Sequence, residues 1–338
     1  MRATLNAALK SRDARPYLVA VPILIAVLAI DHGQGRVLTP SSAFSVLQQF
    51  ATVGPTALAI GLTMIAREFD LSVAGMTSFA GCVAVLCGVH DPLLGILAAS
   101  AMGLAIGAAQ GFLTVALRLS SVAVTLGGLL TLAGAGYVIT GNSTLGYARM
   151  DVALMVNAPV LHFFSLRSIF ALTIFVAAAL MLAYTRIGRD LVATGSDPQA
   201  ARVAGVRTGA MVVGVFAVSG FAVATGGALA SYSIAAASPV ALANTLVPAV
   251  AAAIIGGVSL SGGRGTPLGI AGGVLLLSML RTGMSAIGIP PFAQDLATGI
   301  VLFAVALADA EHLKMRIYEL RRFGRASGPL NPVVKASK

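Results

Sequence analysis

Residues 92–117 read PLLGILAASAMGLAIGAAQGFLTVAL, a run of 26 positions without one charged side chain. A helix rises about 1.5 Å per residue and the hydrocarbon core of a bilayer is roughly 30 Å thick, so about 20 apolar residues suffice to cross it. The stretch reads as a transmembrane helix, and its neighbours repeat the pattern. Ten segments qualify or nearly qualify: 16–31, 43–66, 71–89, 92–117, 122–140, 166–184, 211–232, 245–258, 267–288 and 292–309. The segment 245–258 is short and bounded by glycine, and 71–89 carries Ser72, Gly75, Thr77, Ser78 and Gly81. Both are expected to be broken or tilted rather than simple spans.

The composition agrees. Of 338 residues, 57% are hydrophobic and 10% charged, and mean hydropathy is +0.92. Soluble domains carry about 25% charged residues, so this chain lacks the polar side chains to cover a water-exposed surface. A soluble enzyme, a disordered tail and a secreted scaffold are excluded as readings, and an all-α integral membrane protein is expected. The net charge of +10 does not gather on one face. It lies between apolar runs, which argues against a nucleic-acid binder and makes the charges a guide to topology.

With the N-terminus in the cytoplasm, 18 of the 22 Lys and Arg fall on the inside: those within 2–15, 186–207 and 314–338, with Arg67, Arg118 and Arg264. Only Arg36, Arg149 and Arg167 fall outside, and Arg281 lies within a span. This asymmetry predicts an even number of helices with both termini cytoplasmic. The expected organisation is a cytoplasmic segment 1–15, a transmembrane domain 16–309 containing a cytoplasmic loop 185–210, and a basic tail 310–338. A cleaved signal peptide is disfavoured, since no small-residue cleavage site precedes the polar stretch 31–36.

Chemistry-bearing motifs are scarce. No GxxxxGK[ST] loop occurs, so the chain has no P-loop of its own for ATP. His32, His90, His162 and His312 are far apart, which predicts no metal site. Cys82 and Cys87 share one apolar span and read as packing thiols. Gly103, Gly107 and Gly111 recur every four residues along one helix face, a small-residue seam for close helix packing rather than a dedicated dimer contact. An ion-coupled secondary transporter is the competing class, but its ionisable relays inside the bilayer are nearly absent here. Arg281 is the exception. Placed about eight residues before a turn near Ile289, with Asp295 about six after it, Arg281 sits at a depth comparable with that carboxylate on an antiparallel helix. A buried pair is expected, the alternative being an arginine that snorkels to the headgroups.

Two polar stretches remain. In 185–207, TRIGRDLVATGSDPQAARVAGVR, Ser196 or Asp197 can cap a short helix, Pro198 fits its first turn, residues 199–203 continue it, and Gly205 can close it in a left-handed cap. It is too short to span and lies on the cytoplasmic side, as either a docking element for a protein partner or an ordinary structured loop. In 255–269, IGGVSLSGGRGTPLG, glycines permit tight turns, Arg264 marks the cytoplasmic side and Pro267 can begin the next helix. The Walker lysine and a preceding strand are missing, so this is not a phosphate cradle.

Four stretches occur in a telling order: Phe69-Asp70-Leu71-Ser72-Val73-Ala74-Gly75; Val124-Thr125-Leu126-Gly127; Gly188-Arg189 through Gly195 with Ala200-Ala201-Arg202 to Gly205; and Gly256-Gly257-Val258-Ser259-Leu260-Ser261-Gly262-Gly263-Arg264-Gly265. They are similar to I-D-L-S-V-G, V-T-L-G, G-R-x-x-x-A-x-G-x-N-x-x-A-A-R-x-x-G-I and G-G-T-S-L-S-G-G-R-G. The chain thereby resembles the permease subunits of bacterial ABC importers for monosaccharides, the ribose, xylose, arabinose and galactose type, over about residues 53–306. Ser196-Asp197 replaces the usual Gly-Asn, Val258 a common Thr, and Arg281-Thr282 stands where that family often has Asn-Asn.

The resemblance implies a multi-pass protein of the inner membrane that catalyses no reaction and binds no cofactor, ATP being held by a partner ATPase. It implies a second copy of the chain, a cytoplasmic ATPase and a periplasmic or extracellular sugar-binding protein as partners. Gly195, Ser196, Asp197, Pro198, Ala200, Ala201, Arg202 and Gly205 fall in the segment that couples to the ATPase. Asp70, Leu71, Ser72 and Gly75, and Gly256, Gly257, Ser259, Ser261, Gly262, Gly263, Arg264 and Gly265, carry the remaining motifs. Permeases for branched-chain amino acids or nucleosides are the nearest alternative.

Overall fold

The computed structural model describes residues 39–240 and 242–308. The expected first span, both basic termini and residue 309 lie outside the described residues. The helices are α1 (Pro40–Ile65), α2 (Val73–Cys87), α3 (Pro92–Ala116), α4 (Ser121–Thr140), α5 (Met150–Asn157), α6 (Leu166–Tyr184), α7 (Arg186–Ser196), α8 (Pro198–Val203), α9 (Thr208–Ser233), α10 (Leu246–Ile255), α11 (Pro267–Ala286) and α12 (Pro291–Ala308). Among the described residues, six are long and apolar enough to cross a membrane: α1, α3, α4, α6, α9 and α11. The chain is therefore an all-α membrane protein, with shorter apolar helices filling in between.

Helix ends follow local chemistry. Thr39, Asp91, Ser165, Thr185, Asp197 and Thr266 each accept an N–H bond at a helix start, and Pro40, Pro92, Pro198 and Pro267 occupy first turns, where a missing N–H costs nothing. The two segments expected to be broken are short. At about 1.5 Å per residue, the 15 residues of α2 and the 10 of α10 fall well below the bilayer thickness. Irregular chain precedes α2, and a 3-10 turn, Ala243–Thr245, leads directly into α10.

Helix α9 is the centre of the molecule and packs against α1, α2 and α3. The α3 glycines make this possible. A Cβ at Gly103 would collide with the Gly220 carbonyl and Ala224, one at Gly107 with the Phe216 carbonyl, and one at Gly220 with the Gly103 carbonyl. The seam read from sequence is thus packing within one chain, backbone on backbone, the arrangement small residues allow in lipid. Gly256, Gly269 and Gly273 bring α10 and α11 together in the same manner. The outward faces are apolar instead of charged, with Leu130 and Val138 of α4 and Leu180 of α6 exposed. In water such faces would be aggregation sites, whereas against lipid tails they are the expected surface.

At one end, residues 142–165 fold over the bundle. Two-residue strands β1 (Leu145–Gly146) and β2 (Ala236–Ala237) pair antiparallel, Leu145 with Ala237 and Gly146 with Ala236. The Tyr147 and Tyr232 rings lie 4.8 Å apart, and their hydroxyls donate to the carbonyls of Gly88 (2.8 Å) and Ala84 (2.7 Å). Nothing in the hydropathy pattern announces this cap.

Candidate functional site

Helix α1 ends at Ile65, Arg67 turns the chain with a left-handed φ of 67°, and residues 66–72 run to α2. Asp70 in this loop is 2% exposed. Its Oδ1 accepts from the Ser72 amide (3.0 Å) and hydroxyl (2.6 Å), and its Oδ2 from the Ser219 hydroxyl of α9 (3.0 Å). The Ser72 hydroxyl has one proton, and the shorter bond assigns it to Asp70. Gln110 Oε1 lies 2.8 Å from the same hydroxyl as a second acceptor and ties the network to α3. Burial pushes the Asp70 carboxyl above its ordinary value, while the bonds from Ser72 and Ser219 pull it back.

Helix α4 secures the same loop from its other side. The Thr125 hydroxyl accepts from the Leu71 amide (3.1 Å) and lies 3.1 Å from the Phe69 carbonyl, and the Ser121 hydroxyl accepts from the Phe69 amide (3.1 Å). The D-L-S-V-A-G stretch and the V-T-L-G stretch are therefore one bonded unit. Burial raises Glu68 above the usual carboxylate value, opposed by the Ser121 hydroxyl and the Arg67 charge.

The polar loop after α6 holds two helices where one short helix is expected. Helix α7 ends at Ser196. Asp197 then caps α8, its carboxylate accepting from the amides of Gln199 (2.9 Å) and Ala200 (3.0 Å). Gly205 closes α8 at φ 88°, with Gly205 N bonded to Arg202 O and Val206 N to Ala201 O, the paired bonds of a Schellman cap. Ser196 does not cap α8. Its hydroxyl donates back to the Val192 carbonyl at 2.8 Å. Among the coupling candidates, Gly195 and Ala201 are buried, Pro198 half-buried, and Ser196, Asp197, Ala200, Arg202 and Gly205 exposed.

The glycine-rich loop sits directly beneath. Gly263 N donates to the Ile65 carbonyl at 2.9 Å, and Gly195 packs on that carbonyl and on Gly263. Gly262 lies against Arg67 and Gly263 against Ser196. The Ser259 and Ser261 hydroxyls are 2.8 Å apart, Gly256 contacts Gly269, and Gly265 contacts Val258 and Ile65. Arg264 is exposed. All four stretches singled out by sequence thus meet at one end of the bundle, around the end of α1. Between them opens a cleft of about 380 Å3 with Arg67, Glu68, Arg118 and Arg202 on its wall. The Arg202 guanidinium is held by the Thr208 hydroxyl at 2.8 Å.

At the opposite end Arg281 Nη2 lies 2.5 Å from Asp295 Oδ1. The two side chains are 23% and 69% exposed, so the contact is open to its surroundings, unlike the buried pair expected from depth alone. Asp295 lies in the second turn of α12, on an exposed face of that helix. Sequence alone does not single out Gln110 and Ser219 as partners in the Asp70 network. The available signal was Gln110 itself, the one side-chain amide in α3.

A helical bundle with apolar outward sides and six helices able to cross a membrane among the described residues defines a multi-pass membrane protein. Residues 42–306 match the family described as branched-chain amino acid transport system / permease component, and the chain belongs to that family. It is a permease subunit of an ABC importer, resident in the inner membrane, and not an enzyme. Such permeases work with an ATPase that uses ATP and with a substrate-binding protein. The chain is 28% identical over 302 residues to the ribose import permease protein RbsC of Escherichia coli, covering 86% of this chain and 92% of that one. It is 31% identical to the autoinducer 2 import system permease protein LsrC of Yersinia pseudotuberculosis, covering 86% and 83%. It is 26% identical to the xylose transport system permease protein XylH of Haemophilus influenzae, covering 90% and 99%. No solved structure matches the chain.

Proposed function

We propose that this permease carries a monosaccharide, a ribose-type sugar or related polyol, into the cytoplasm as one half of a homodimeric pore. It has ten spans and cytoplasmic termini, with segment 1–15 and tail 310–338 flanking the transmembrane domain 16–309. Helix α8, with Gly195, Ser196 and Asp197 before it and Gly205 after it, is the element that seats on the ATPase, and the binding protein delivers substrate at the opposite end. The observation that carries this reading is the convergence of the four motif stretches on α8 and the end of α1. A push on α8 passes through Gly195 and Gly263 to Ile65 without an intervening side chain. ATP binding closes the ATPase pair, and rigid contacts turn that closure into a rearrangement of the pore.

The ribose, xylose and arabinose permeases among its relatives support the sugar, and the D-L-S-V-x-G stretch favours it over amino acids. Uptake by the permease reconstituted with its ATPase and binding protein tests the reading. Labelled ribose or another monosaccharide accumulates with ATP inside, and labelled leucine does not. Leucine uptake without sugar uptake transfers the assignment to the branched-chain class in the family's description.

A further inference from the structure

At the end opposite α8, helices α1, α11 and α12 enclose a second cleft, of about 420 Å3, within the range of small-molecule sites, about 300–1,000 Å3. Its wall includes Ser45 and Gln49 of α1, Arg281, Thr282 and Ser285 of α11, and Gln294 of α12. In a chain this apolar, hydroxyls, amides and a guanidinium converging on one hollow are a costly arrangement, kept where helices face water or a solute. The side chains of Gln49, Thr282 and Ser285 have no hydrogen-bond partner among the described residues. Arg281 Nε is buried and also without a partner, although burying such a donor unsatisfied is unfavourable. The site therefore offers donors, the Arg281 guanidinium foremost, and hydroxyl and amide groups that a solute can use.

Charge narrows the solute. The Arg281 guanidinium already faces the Asp295 carboxylate at 2.5 Å, so the cleft has no spare positive charge to hold an anion. A guanidinium whose charge is met by a neighbouring carboxylate suits a neutral polyol: it donates to hydroxyl oxygens, while the Thr282 and Ser285 hydroxyls accept hydroxyl protons. From this we infer that the cleft is a binding subsite for a neutral polyhydroxylated solute, with Arg281, its charge balanced by Asp295, as the polar anchor on the wall and Thr282 and Ser285 as further hydroxyl partners. The inference rests on the sugar reading above and adds where the sugar is held. It also gives a role to Arg281-Thr282, which stands where related permeases often carry two asparagines.

The test uses the permease with its ATPase in proteoliposomes, carrying Ser285→Cys with Cys82→Ser and Cys87→Ser. A membrane-impermeant maleimide labels the cysteine from the side opposite the ATPase, and ribose slows the labelling whereas ribonate, its anionic counterpart, does not. The half-protecting ribose concentration rises about tenfold with Arg281→Met and about threefold with the isosteric Thr282→Val, as expected for a charge-assisted and a neutral hydrogen bond. Thr282→Val guards against an Arg281 variant that fails to fold. Protection equal for ribonate, no protection by ribose, or a cysteine that never labels because another element covers the cleft each overturns the subsite. If the unaltered importer still takes up ribose in that case, the function stands and only the subsite falls; if it takes up no monosaccharide, both fall.

Discussion

The amide of Gly263 donates to the carbonyl of Ile65 at 2.9 Å, bonding the glycine-rich loop between α10 and α11 to the last turn of α1. Gly195 stacks on the same carbonyl, and a Cβ there would also lie 2.7 Å from the Gly263 nitrogen. Three chain segments thus share one carbonyl oxygen as their meeting point, with no side chain between them.

Gly195→Ala is expected to insert and assemble yet lose most substrate-stimulated ATP hydrolysis, because its methyl group pushes α7 off the end of α1. Gly263→Ala adds a left-handed alanine at φ 68°, a strain of about 1–2 kcal/mol, to a collision with Ser196. ATPase assays with binding protein present, alongside thermal unfolding in detergent, check both. Stimulation at the unaltered level in an inserted Gly195→Ala permease contradicts the proposed path.

Asp70→Asn replaces an acceptor of three hydrogen bonds with a group that points an NH2 at a donor. A loss of about 1–3 kcal/mol is expected, seen as a lower melting temperature, with Ser219→Ala costing less because it removes one bond only. An Asp70→Asn protein as stable as the parent, or more so, shows that relief of the desolvated carboxylate outweighs the lost bonds.

Ala201→Pro deletes the bond from Ala201 N to Asp197 O (3.0 Å) and costs about 3 kcal/mol within α8. Asp197→Ala removes the cap at about 1 kcal/mol. Basal ATP hydrolysis by the assembled complex is expected to persist while stimulation by loaded binding protein disappears in the first and weakens in the second. Membrane insertion, followed by fractionation, stays normal in both.

Arg281→Met and Asp295→Asn bear on the contact at the far end. With Asp295 69% exposed, the pair is expected to contribute at most about 1 kcal/mol. A double-mutant cycle on thermal stability reads this coupling directly, and a coupling of 3 kcal/mol or more points to a pair enclosed by lipid or by a second subunit.

Topology follows from charge. A cysteine at Arg202 is expected to react only from the cytoplasm and one at Asp151 only from outside, since 186–207 carries four cations and the cap around α5 carries few. Labelling in intact cells with an impermeant reagent separates the two. Reaction at 202 but not at 151 inverts the arrangement.

The features legible in sequence are those written locally. The cap of α8 needs only Asp197, Pro198 and Gly205 in their order, and the spans need only length and hydropathy. The Gly103–Gly107–Gly111 seam was visible, but its partner was not, because Gly220 and Ala224 lie more than a hundred residues away in a helix that is apolar all round. The cap at 142–165 left no trace, since strands of two residues carry no period and its anchors are single tyrosine hydroxyls. Helix α7 was hidden for another reason: its polar residues read as loop until its capping residue, Thr185, is seen bonded to the Gly188 amide at 3.2 Å. The openness of the Arg281–Asp295 contact depends on rotation about α12, which depth along the membrane normal does not encode.

The backbone-to-backbone fit of α3 on α9 has a mechanical corollary. With carbonyls of each helix resting on the Cα atoms of the other, neither can slide lengthwise without first lifting away, so the two move as a single lever. Strokes that open and close a passage then have to be taken up at joints elsewhere, and the loop 66–72 before α2 and the 3-10 turn Ala243–Thr245 before α10 are the places where the backbone changes geometry: two short helices, each entered through a joint, beside one long shared beam.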